Sequence, residues 1–174
     1  LKNNIGTGVY TKTLPKRGRL YLAHTGATYK PFGGYEFHMD CMGSFAVGGD
    51  ITWLHRYNKH TGTIDPLPGN LRLDDYELFQ LFYYSKTIKD ASKLVLPAET
   101  LSEMCYAEMF FNCQRLELGP DLSAAKSLAK NCYENMFFNC SNMIQMPRFN
   151  IRTVSEFVAH GLVIWKSMEQ KRIN

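Results

Sequence analysis

The chain has 174 residues, 45% of them apolar and 13% aromatic, which is enough to bury one ordinary core and too apolar for an intrinsically disordered segment. Its 20 Lys and Arg against 16 Asp and Glu leave a net charge of +4, too little to mark a dedicated nucleic-acid binder. No apolar run reaches the ~20 residues that cross a bilayer, because FVAHGLVIW is broken by His160 and Gly161; the opening from Leu1 shows no charged-then-apolar leader.

In chain order, residues 1–55 read as a small β-rich module. Its segments GVYTKTL, RLYLAH, YEFHMDCMGSFAV and DITWLH are separated by glycines and prolines. Residues 56–70, RYNKHTGTIDPLPGN, read as a polar linker loop into a repeat array.

Residues 71–150 repeat themselves. CYAEMFFNC at 105–113 returns as CYENMFFNC at 132–140, an offset of 27. The same offset matches Leu101 with Leu128, Leu116 with Met143 and Pro120 with Pro147. A more divergent copy lies upstream at an offset of 28, with Leu81, Phe82 and Tyr83 over Met109, Phe110 and Phe111, and Ser85 over Cys113. Within a unit, Leu101, Cys105, Met109 and Cys113 recur every four residues, widened by Tyr106 and Phe110. That spacing predicts one stripe of a short helix. LEL at 116–118 alternates as a short strand does, and Gly119-Pro120 ends it. One strand and one helix per 27 residues falls in the leucine-rich-repeat length class, whose units bury their apolar faces only by stacking. The fold class expected is therefore an α/β repeat: a short leucine-rich-repeat-like solenoid of about three coils, preceded by the β-rich module. Residues 151–174 open with Thr153-x-x-Glu156, a capping-box pattern, and carry apolar residues near helical spacing, so a C-terminal helix is expected to close the array.

Stacking would set Cys105 near Cys132 and Cys113 near Cys140, as a structural cysteine ladder. Packing as small buried side chains is the reading taken. Disulfides between coils fit the spacing of stacked chains, whereas a C-x7-C pair on a helical stripe is unlike a zinc knuckle. Cys41 stands apart, and an odd count of 5 cysteines argues against a complete disulfide framework.

LVLPAETLSEMCYAEMFFNC and LGPDLSAAKSLAKNCYENMFFNC together resemble the BspA-like leucine-rich repeats of surface proteins from gut Bacteroidales and of phages from the same habitat. SFAVGGDITWLH at 44–55 is similar to the lead-in of such arrays, and GRLYLAHTGATY at 18–29 to the strands before it. Ser123-Ala124-Ala125 departs from the family phrase, as does the loss of both cysteines in the unit at 67–94. The resemblance implies a non-catalytic adhesion-type module that binds a host surface protein or a glycan, placed outside the cell or on a virion. It equally implies a structural part of a phage virion or cell-surface assembly that contacts neighbouring proteins or copies of itself. The outward strand rows expected to make contact are Thr87 and Lys89, Arg115 and Glu117, and Asn142 and Ile144.

Catalytic patterns are few. Ser127 and Lys130 in SLAK match S-x-x-K without its companion motifs. His38 and Asp40 in FHMDC fall on one face of a strand and Cys41 on the other, which is poor clustering for a metal. His55 and His60 lack a zinc-protease context, and the glycine pairs fit neither a phosphate loop nor a dinucleotide fingerprint. Lys12, Lys16, Arg17 and Arg19 read as a solvated corner around Pro15. The sequence thus points to no enzyme, metal or cofactor.

Overall fold

The computed structural model describes residues 40–51, 72–73, 75–145 and 147–150, with short pieces at 13, 15, 17–20, 57–58 and 63–64. Strand β1 (Phe45–Asp50) pairs in parallel with β4 (Ile88–Val95). The two-residue strands β2 (Tyr57–Asn58) and β3 (Thr63–Ile64) pair antiparallel within the segment read as a linker. The inward residues of β4 are Ile88, Ala91 and Leu94, every third residue instead of every second. Register shifts on either side of Ala46 accommodate that spacing. Gly48 is required in the β1–β4 pair, since a Cβ there would lie 2.9 Å from Lys93 Cβ.

Among the described residues after β4 there is no further regular strand, but the segments keep the same direction. Isolated parallel bridges join Asp90 to Leu118 and Leu118 to Gln145, Val95 to Asp121, and Leu122 to Phe149. On the other side, Arg72 bridges Thr100 and Thr100 bridges Ser127. Segments one repeat apart therefore lie against each other in parallel register.

Three runs connect these rows: 75–84, 103–112 and 130–139. None is a helix, and there is no helix anywhere among the described residues. This overturns the expected fold class, an α/β solenoid with a helix in each unit: among the described residues the regular pairing is two parallel strands and one tiny hairpin. The helix read over 151–174 lies outside the described residues, as does most of the module read over 1–55.

The physical reason lies in the period. An α-helix advances about 100° per residue, so positions four apart drift by about 40° at each step. A stripe held at strict spacing of four, Leu101 to Cys105 to Met109 to Cys113, would wind off one face. A chain of tight turns repeating every four residues keeps the stripe on one side. Amides donate three residues back, as from Cys105 to Ser102, Met109 to Tyr106 and Cys113 to Phe110, at 3.4, 3.4 and 3.1 Å. The residue before each of these donors has positive φ: Met104 at 57°, Glu108 at 52° and Asn112 at 58°. That is the type II arrangement. Asn131, Asn135 and Asn139 hold the same places in the next run, and Tyr76, Gln80 and Tyr84 in the one before.

The intervening amides leave the run and bond to the next. Tyr76, Leu78, Gln80, Phe82 and Tyr84 donate to the carbonyls of Glu103, Cys105, Ala107, Met109 and Phe111. Met104, Tyr106, Glu108, Phe110 and Asn112 donate in turn to Lys130, Cys132, Glu134, Met136 and Phe138. The amides of the second run are thus shared between turns and the neighbouring row, as buried backbone requires.

This geometry reverses the usual helix preferences. Replacing Asn135 by Gly is expected to leave stability unchanged or raise it, because Gly takes the left-handed conformation without a Cβ clash. Replacing it by Ala should cost about 1 kcal/mol. In a helix the order would be the opposite. Urea melts of the two variants check the sign.

The core lies between the two sides. Phe82, Phe110 and Phe137 form one cofacial column, with centroids 5.1 and 5.5 Å apart and planes within 10° and 4°. Tyr106 stacks on Tyr133 at 5.8 Å, and Phe149 meets Tyr133 edge-on. Gly119 belongs to this packing: a Cβ would sit 3.1 to 3.3 Å from Pro147, Phe137 and Met143.

Candidate interaction face

The parallel bridges between rows position the outward side chains of the strand side. Inward Ile88, Leu116 and Met143 are each followed by an outward residue, namely Lys89, Glu117 and Ile144. Glu117 N–H donates to the Lys89 carbonyl at 2.8 Å, and Ile144 N–H to the Glu117 carbonyl at 3.0 Å. The three therefore form one backbone-locked column. Lys89 Nζ and Glu117 Oε1 pair at 3.3 Å with both side chains nearly half exposed, a contact of modest strength. Ile144 ends the column with 75% of its surface in solvent.

The second expected row is less uniform. Arg115 and Asn142 are exposed. Thr87 is half-buried and engaged: its hydroxyl bonds to Asp40 Oδ1 at 3.2 Å and to the Cys41 carbonyl. It serves to hold the 40–41 segment against the start of β4.

The rest of the surface carries exposed apolar side chains, an aromatic column and two more charge pairs. Val95 and Tyr84 are about half exposed. Tyr83, Phe111 and Phe138 form a second, half-buried aromatic column with spacings of 5.2 and 5.0 Å. Glu99 pairs with Lys126 at 2.7 Å and Glu103 with Lys130 at 3.5 Å. Opposite charges at an offset of 27 are the signal that could have found those pairs.

The four repeat cysteines are buried thiols. Cys113 Sγ donates to the Phe82 carbonyl at 3.0 Å, and Cys140 Sγ to the Phe110 carbonyl at the same distance, each reaching back one row. Ser85 holds the equivalent place in the first row and donates instead to Asp40 Oδ1 at 2.6 Å. Burial pushes the thiols up from 9.0, Cys132 to about 11 and Cys113 to about 12, with Cys105 and Cys140 also far above the ordinary value. A thiol kept protonated is a poor nucleophile. Burial likewise raises Tyr106 and Tyr133, and the Tyr106 hydroxyl is buried with no hydrogen-bond partner.

Of the residues matching catalytic patterns, Ser127 is exposed with its N–H bonded to Glu99, and Lys130 is exposed beside Glu103. Asp40 and Cys41 are both exposed, and the Asp40 carboxylate accepts from the Cys41 amide at 2.8 Å. Arg17 and Arg19 are described; Arg17 is in a turn. His38, His55, His60, Lys12 and Lys16 lie outside the described residues. Among the described residues no three His, Cys, Asp or Glu side chains gather as a metal site, and no helix is long and apolar enough to cross a membrane.

Comparison with protein-family models, with curated proteins and with solved structures finds no match for this chain.

Proposed function

We propose that the chain is a non-catalytic protein-interaction module of the adhesion type, working through the outward side of β4 and the rows stacked on it. The observation that carries this reading is the Lys89–Glu117–Ile144 column, in which an aliphatic side chain stands in solvent beside a charge pair on a backbone fixed by inter-row bonds. Contact residues that are already ordered lose little freedom on binding, and more of their contact energy is retained as affinity. The motif resemblance to BspA-like surface proteins points the same way and favours a protein over a glycan partner only through the exposed Ile144.

Selection of a displayed peptide library on the immobilised chain tests the reading. Enriched peptides are expected to lose at least tenfold affinity for an Ile144→Arg, Lys89→Glu variant, whose changes lie at the surface. Peptides that bind the variant as well as the parent would place the working surface elsewhere.

A second reading, a structural part of a virion or cell-surface assembly, draws on the partly exposed Tyr83, Tyr84, Phe111 and Phe138, since aromatic side chains are favoured in lasting interfaces. Light scattering after size exclusion separates the two: a stable oligomer supports assembly, a monomer the free binding module.

A further inference from the structure

The repeat places thiols over thiols. Cys105 and Cys132 are 27 residues apart, as are Cys113 and Cys140. The rows that carry them are joined directly on either side: Tyr106 N–H donates to the Cys132 carbonyl at 2.9 Å, and Asn112 N–H to the Phe138 carbonyl at 2.7 Å. Chains paired in this way run about 4.8 Å apart. That separation falls inside the Cα window of roughly 4.4 to 6.8 Å that a disulfide spans. All four sulfurs lie in the interior, with no more than 1% of any of these residues exposed.

We propose that these four cysteines are inter-row staples whose state is set by the redox conditions under which the chain folds. Folding in the presence of a low-molecular-weight disulfide joins Cys105 to Cys132 and Cys113 to Cys140. Folding under reducing conditions seals the same residues as thiols, and the closed core then keeps oxidants out.

The chemistry is two exchanges per staple. The thiolate of one cysteine attacks the small disulfide, forming a mixed disulfide and expelling one small thiolate. The second cysteine, also as thiolate, then attacks the protein sulfur of that mixed disulfide and expels the other. Two cysteine thiols lose two protons and two electrons, and one small disulfide becomes two small thiols. Both steps need an ionised and reachable sulfur, which the open chain supplies and the folded one does not; burial raises all four thiols.

Closing the Cys113–Cys140 staple breaks the bonds from Cys113 Sγ to the Phe82 carbonyl and from Cys140 Sγ to the Phe110 carbonyl.

Refolding from denaturant in a mixture of oxidised and reduced glutathione tests the proposal, read by alkylation and peptide mapping. The expected result is one alkylatable cysteine, Cys41, which is exposed. The bridged peptides should link 105 with 132 and 113 with 140, and the unfolding midpoint should rise on the order of 10 °C. Chain folded reduced and then placed in the same mixture should react at Cys41 alone. A Cys113→Ser, Cys140→Ser variant should still form the Cys105–Cys132 bridge. Bridges within one row, 105 with 113 or 132 with 140, overturn the proposal. So does an oxidised product that fails to recover the circular dichroism of the reduced fold, or a folded chain whose interior thiols react as fast as those of the unfolded one.

Discussion

Raising the pH from about 8 to about 10 is expected to strip the reduced chain of roughly 5 kcal/mol of stability, as much as a marginal domain possesses. In the unfolded chain each repeat thiol ionises near 9.0, whereas burial keeps the folded ones protonated to about 11 at Cys132 and about 12 at Cys113, and holds Cys105 and Cys140 well above 9.0 too. The folded state therefore binds more protons than the unfolded one above pH 9, and stability must fall as pH rises. The stabilisation is complete below pH 9 and is withdrawn progressively toward the folded values. Each thiol contributes a slope of about 1.4 kcal/mol per pH unit in that window, and four act together. Tyr106 and Tyr133, also raised by burial, extend the effect above pH 10. Denaturant melts followed by circular dichroism at stepped pH give the slope directly. Cys132→Ala should flatten it by about a quarter. An unfolding midpoint that stays constant from pH 8 to 10 would show that the thiols are not shut away from water.

Phe110→Ala is expected to cost about 3 to 5 kcal/mol, the usual loss for emptying a fully buried aromatic site. Phe110 has no exposed surface and lies between Phe82 and Phe137, so its removal leaves a void and ends two ring contacts at once. Its neighbour in sequence supplies the control. Phe111 stacks between Tyr83 and Phe138 at nearly the same distances but is only half-buried, and its truncation should cost about 1 to 2 kcal/mol. Urea midpoints of the two variants check the ordering. Equal losses would mean that the inner column is no drier than the outer one.

Much of the arrangement is legible as register and little of it as conformation. The offset of 27 from Cys105-Tyr106 to Cys132-Tyr133 identifies residues that do lie one row apart, since Tyr106 bonds to Cys132 and stacks on Tyr133. The conformation in between escapes a reading by period, because a stripe at every fourth residue suits either a helix or a chain of tight turns. The deciding clue is present at Asn131, Asn135 and Asn139: asparagine at strict spacing of four marks left-handed backbone. It is obscured because the preceding run places Met104 and Glu108, ordinary helix formers, in the same positions. The interaction face is partly visible. Offset alone aligns Lys89, Glu117 and Ile144, but nothing in the sequence shows that the hydroxyl of Thr87 is spent on Asp40 and Cys41.

The backbone bonds between runs depend on where a residue stands in its unit and hardly on which unit it belongs to. A whole stretch such as 114–140 could be duplicated or excised between equivalent points, and the junctions left behind would meet the same donors and acceptors. Length in such a chain is inherited in integer steps. A single-residue insertion inside 103–112, by contrast, would move every later side chain of that run one place along its four-residue period, setting Phe110 in the half-buried place of Phe111, so neutral drift in this gene should favour copying over slippage.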